Sequence, residues 1–166
     1  MKLIFIGIQV FIVQNFSKAQ YYNFRYQKSS VFPAPKGFVS DYEQIFSQKF
    51  IQDNEQKLQQ LQQKTAIEFA LITVKEIKGY THFVSYAIDL FNQWGIGKPD
   101  LKNGLAIIMS TQLGKIRITV GAGLLGKISD EFCKDVIENM MMPLFKQEAY
   151  EHGLQNGLNA LLKKLE

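Results

Sequence analysis

The apolar residues of this 166-residue chain recur with two periods, and the changes from one to the other mark its elements. After Ser47, whose hydroxyl can cap a helix, Phe50, Ile51, Asn54, Leu58 and Leu61 keep a spacing of three and four against a face of glutamines. That spacing predicts an amphipathic helix ending near Lys64-Thr65. The glutamines between Gln56 and Gln63 become its solvated side rather than a low-complexity tract. Ala66 to Val74 is short and nearly continuous in apolar and β-branched residues, which predicts a strand covered on both faces. Thr81 is placed to cap a second helix in which Val84, Ala87, Ile88, Phe91 and Trp94 form the inward stripe until Gly95 breaks it. Trp94 is then a core anchor.

Short strands joined by a turn follow in Gly104 to Ser110 and Lys115 to Val120, with Thr111-Gln112-Leu113-Gly114 between them, and predict a hairpin. In the second strand Ile116, Ile118 and Val120 alternate with Lys115, Arg117 and Thr119, the pattern of a half-exposed strand near a sheet edge. A third helix starts after Ser129, with Asp130 and Glu131 in the first turn where the helix dipole favours acids, and runs to Met142. Pro143 interrupts it, and a last helix turns Tyr150, Leu154, Leu158, Leu161 and Leu162 inward. This order describes an α/β protein: a three-layer α/β/α sandwich over residues 37–166, with a mostly parallel sheet and an antiparallel edge hairpin.

What precedes that domain changes the compartment. Met1-Lys2, the apolar run from Leu3 to Val13 and the small residues of Ser17-Lys18-Ala19 form an export signal over residues 1–19, with cleavage after Ala19. The run is too short for the ~30 Å hydrocarbon core, and no later segment approaches ~18 consecutive apolar residues, so the mature chain is expected to carry no transmembrane segment and to be periplasmic or secreted. Cleavage removes Lys2 and Lys18 from a formal charge of +4, so part of the basic balance belongs to the leader. The remaining lysines are scattered, which argues against a nucleic-acid partner. Residues 20–36 mix tyrosines, Ser29-Ser30 and two prolines without a periodic face and are expected to form an extended tether.

The candidate chemistry is sparse. A single cysteine, Cys133, excludes an internal disulfide, and its helically spaced apolar neighbours make it a core residue. His82 and His152, the two histidines, are far apart and expected at the surface, with no zinc-ligand spacing. Gly121-Ala122-Gly123-Leu124-Leu125-Gly126 has the string of a dinucleotide loop, but it follows a hairpin strand, and Lys146 stands where an acid would bind a ribose; no nucleotide is expected. The glycines instead suit a tight strand end that offers N–H groups to a cleft. Asp41, Asp100 and Asp130, at loops and helix starts, are either helix caps or ligands for a hard cation.

Taken together, these blocks resemble the TPM domain family from about Phe38 to Leu165. The resemblance rests on Val39-Ser40-Asp41, the strand Phe69 to Val74, Ala87 through Leu90-Phe91-Asn92 to Trp94-Gly95-Ile96-Gly97, and Asn103-Gly104-Leu105. It continues through Arg117-Ile118 and Val120-Gly121 to Gly126, Ser129-Asp130, and Pro143 through Phe145-Lys146 and Tyr150 to Gly153-Leu154. It implies the sandwich fold and a shallow cleft at strand ends where relatives are thought to hold calcium. Carried onto this chain, the cleft is Asp41, Asn103, Arg117, Gly121, Gly123, Ser129 and Asp130, with Asp41 and Asp130 as metal ligands. Leu125 and Lys102 stand where the family often carries acids, so calcium is expected to bind weakly. The functional expectation is an exported accessory domain of the cell envelope, without strong enzymatic activity, that binds an envelope protein partner or an ion. The alternative is a metal-assisted phosphatase using Asp41 and Asp130, with Arg117 steadying the phosphate.

Overall fold

The computed structural model describes residues 31–165; the expected export signal, and the part of the expected tether before Val31, lie outside the described residues. The elements run β1 (Val39–Asp41), α1 (Gln48–Thr65), β2 (Glu68–Thr73), α2 (Phe83–Trp94), β3 (Gly104–Ser110) and β4 (Lys115–Val120), followed by α3 (Asp130–Asp135), a π-helical stretch (Val136–Met141), the single turn α4 (Met142–Phe145) and α5 (Tyr150–Leu165). The strands form one sheet in sequence order; β1, β2 and β3 are parallel and β4 returns antiparallel to β3. The mixed sheet with its edge hairpin is the one that the periodicity predicts.

Alternation along the strands divides the core in two. Phe69 and Leu71 of β2, and Leu105, Ile107 and Met109 of β3, face α1, α5 and the π-helical stretch. Ala70, Ile72, Ala106 and Ile108 face α2, where Trp94 is buried and donates its ring N–H to the Pro33 carbonyl at 3.0 Å. Three layers result, with the sheet in the middle. Ser47 caps α1 by accepting from the Phe50 N–H.

Four details depart from expectation. β1 is a strand, although three residues are too few to show alternation. The inward stripe of α2 is Phe83, Tyr86, Ala87, Leu90, Phe91 and Trp94, while Val84 is 49 % exposed and Thr81 caps nothing: His82 holds the N-cap position without a side-chain bond. Pro143 does not end the third helix; the chain widens into the π turn before it, and Pro143, which has no N–H to donate, sits in the first turn of α4. Packing also begins before Gly37, since Phe32 is 6 % exposed against Tyr86 and Tyr80, and the Tyr42 hydroxyl donates to the Ala34 carbonyl.

Candidate functional site

Sheet order decides which of the expected site residues meet. Asp41 ends β1, on one edge, whereas Asp130 opens α3 beside β4, on the other, three strand spacings of ~4.8 Å away. The Asp41 carboxylate is already committed: Oδ1 accepts from the Thr73 hydroxyl at 2.6 Å and the Gln44 N–H at 2.9 Å, and Oδ2 from the Phe46 N–H at 2.9 Å. Thr73 Oγ1 in turn accepts from the N–H groups of Tyr42 and Glu43. These bonds hold a loop in which Gln44 adopts a φ of 60°, so Asp41 organises a turn.

The remaining residues divide between braces and groove. Asn103 is buried; its Oδ1 accepts from the Lys98 N–H at 2.9 Å and its Nδ2 donates to the Ala66 carbonyl at 2.7 Å, which fixes the loop between α2 and β3. Ser129 caps α3 by accepting from the Phe132 N–H. The N–H groups of Gly121 and Gly123 point to the carbonyls of Gly104 and Lys102, not to a cleft. A Cβ at Gly121 would come within 2.2 Å of the Lys102 oxygen and one at Gly123 within 2.0 Å of the Leu101 oxygen, so close backbone approach is the reason for both glycines.

That approach leaves a groove of about 830 Å³ between β4, the C-terminal half of α2 and the loops at Gly95–Lys102 and Gly121–Leu125. Arg117, Thr119, Lys98, Lys102, Asn92 and Asp130 supply its polar lining. Among the described residues three buried side-chain polar atoms have no hydrogen-bond partner, and two of them, Arg117 Nε and Thr119 Oγ1, belong to this groove. The third, Asn54 Oδ1, lies in α1, whose Asn54 amide reaches Gln155 of α5. A buried polar group without a partner costs about 1–3 kcal/mol, so the fold carries two such costs at one place. Thr119 is only 8 % exposed, contrary to a half-exposed strand, because α2 covers the Arg117 and Thr119 face of β4. The alternation of β4 was legible, but a solvent-facing reading of its polar side concealed Thr119.

Three cations against one carboxylate give the groove a net positive field. For the calcium ion that the family resemblance implies, the donor set does not fit. Asp41 is remote and bonded, Asp130 stands among cations, and no group of three His, Cys, Asp or Glu side chains forms among the described residues. Asp100 lies exposed in the turn before Leu101, and His82 and His152 are exposed. Cys133 is the buried residue of α3 itself, and burial pushes its thiol up to about 11, so it packs as an apolar residue.

Comparison with known proteins supports the architecture. The N-terminal domain of a P. gingivalis protein, solved by NMR, is 24 % identical with a TM-score of 0.70, over 92 % of each chain. A protein of the psychrophilic bacterium Bizionia argentinensis is 19 % identical with a TM-score of 0.62, over 75 % of this chain and 83 % of that one. The N-terminal domain of a Corynebacterium glutamicum protein is 14 % identical with a TM-score of 0.59, over 84 % and 85 %. These likenesses show the fold. No curated protein matches the sequence. The TPM domain model matches residues 39–164, from β1 nearly to the end of α5, and the chain belongs to the TPM domain family.

Proposed function

We propose that this protein is an exported binding domain of the cell envelope, which takes an anionic group of its ligand into the groove over β4. The observation that carries the reading is the pair of buried, unpartnered groups Arg117 Nε and Thr119 Oγ1 on a groove rimmed by Lys98 and Lys102. A carboxylate or phosphate supplies acceptors to both groups, and a guanidinium holds either one in a charge-assisted bond. Export follows from the leader, and calcium does not enter as a resident ion.

The alternative, hydrolysis of a phosphate ester, is favoured by one feature: Arg117 and Asp130 line the same groove. Asp41, at the opposite edge, takes no part in it, so any acid or base role falls to Asp130. Calorimetry with phenyl phosphate and with acetate tests the main reading. Saturable binding is expected, weakened more than about tenfold by Arg117→Gln, the loss of one charged hydrogen bond. Equal heats from the variant and the parent would remove Arg117 from the site. Release of phosphate that stops in Asp130→Asn would assign the alternative.

A further inference from the structure

β4 is an edge strand whose outer backbone groups are open. Gly121 donates to the Gly104 carbonyl, and the register pairs Leu105 with Val120 and Ala106 with Thr119. Hydrogen-bonded pairs alternate in an antiparallel ladder, so Thr119, Arg117 and Lys115 turn their N–H and C=O groups to β3 while Ile116, Ile118 and Val120 turn theirs outward. No strand lies beyond β4 among the described residues. The opposite edge differs: the Val39 N–H of β1 donates to Glu55 Oε1 at 2.7 Å, and the side chain of α1 thereby closes it.

Both faces of the free edge are hollowed. On the α2 side lies the groove with Arg117 and Thr119; on the other side Ile116, Ile118, Cys133 and Ile137 border a depression of about 350 Å³ that the charged groups of Arg117, Asp130, Lys134 and Glu138 also line. Leu125, 52 % exposed, stands at the mouth of the groove. A strand laid along β4 would alternate its side chains between a hollow with a net positive lining and one where isoleucines lie among charges of both signs.

We propose that the β4 edge receives an extended segment of another protein as a fifth strand, with acidic residues on the Arg117 side and apolar residues on the Ile118 side. This rests on the reading of the groove as an anion site and names its partner. Charge decides among occupants. A second copy paired antiparallel, edge to edge, would bring its own Lys115 and Arg117 onto the same face of the joined sheet, cation beside cation with no carboxylate from β4 to offset them. Residues 1–30 of this chain contain Lys2, Lys18, Arg25 and Lys28 and no carboxylate, so they do not complement the groove. Main-chain bonds then supply affinity and alternate side chains supply selectivity.

The test uses the mature chain and a short capped peptide of alternating aspartate and valine, with binding followed by calorimetry. Binding is expected to disappear when one alternate set of peptide amides is N-methylated and to persist when the other set is. The sensitive set is the valines for antiparallel addition and the aspartates for parallel addition, because those amides face β4. Arg117→Gln is expected to weaken the parent peptide more than about tenfold. Equal binding of both methylated series, or of a lysine–valine peptide, overturns strand addition. Failure of the peptide while phenyl phosphate still binds overturns it too and leaves the anion groove standing; failure of both probes removes the groove as well.

Discussion

Thr119 and Arg117 carry most of the functional argument, and each is costly to the fold in the absence of a ligand. The Thr119 hydroxyl is buried without a partner, so Thr119→Val replaces it with a methyl group in nearly the same volume. We expect that variant to be more stable by about 1 kcal/mol, since a desolvation penalty is removed and no bond is lost, and to bind anions less tightly. Urea denaturation alongside calorimetry reads both effects. Lower stability together with unchanged binding would make the hydroxyl an ordinary structural group. Asp41 shows the converse. Its three accepted bonds make it indispensable to the loop and unavailable to a ligand, and nothing in its spacing along the chain separates a turn-organising aspartate from a metal ligand.

Among the elements, the hairpin and α1 were the most legible, because their periods are unambiguous and their turn and cap residues agree with them. The π-helical stretch was hidden: Val136, Ile137, Met140 and Met141 satisfy an α-helical pattern over so short a span, and only the packing against α5 shows the wider turn. That packing is tight at Gly153, where a Cβ would come within 2.6 Å of the Phe145 ring and 3.0 Å of the Met141 carbonyl. Alanine has the better helix propensity by about 1 kcal/mol, yet overpacking against a ring and a backbone atom costs about 1–3 kcal/mol. Gly153→Ala should therefore lower the melting temperature, whereas Gly126→Ala, which meets nothing within 4 Å, should not. A Gly153→Ala protein as stable as the parent would show that α5 can shift freely over the π turn.

For the whole molecule, the sandwich was readable because each layer needs its own periodic face, but the position of the site was not. Asp41, Gly121 and Asp130 each lie where a strand or loop meets the next element, and a rule for strand ends gathers them. β4 runs antiparallel, however, so Gly121 lies at the N-terminal end of β3, while sheet order sends β1 and β4 to opposite edges. Burial on both sides of the sheet has its own signature: Tyr42 and Tyr86, on the α2 side, are pushed up to about 12, and Cys133, on the α5 side, to about 11. Each folded group holds its proton more tightly than the unfolded chain does. Their contribution to stability should therefore be level from neutral pH to about 9, the ordinary thiol value, and fall as pH rises from there through 11 and 12. Urea midpoints that do not change between pH 8 and 11 would contradict this.

The account rests on β4, and not the Asp41 loop, being the working surface. The most direct measurement is an amide-resolved NMR titration of the mature domain with phenyl phosphate. The prediction is that shifts concentrate at Arg117 to Ala122 and at Gly95 to Lys102, the walls of the groove. Silence there, with movement confined to Asp41 through Phe46, would contradict it and return the site to the opposite edge of the sheet.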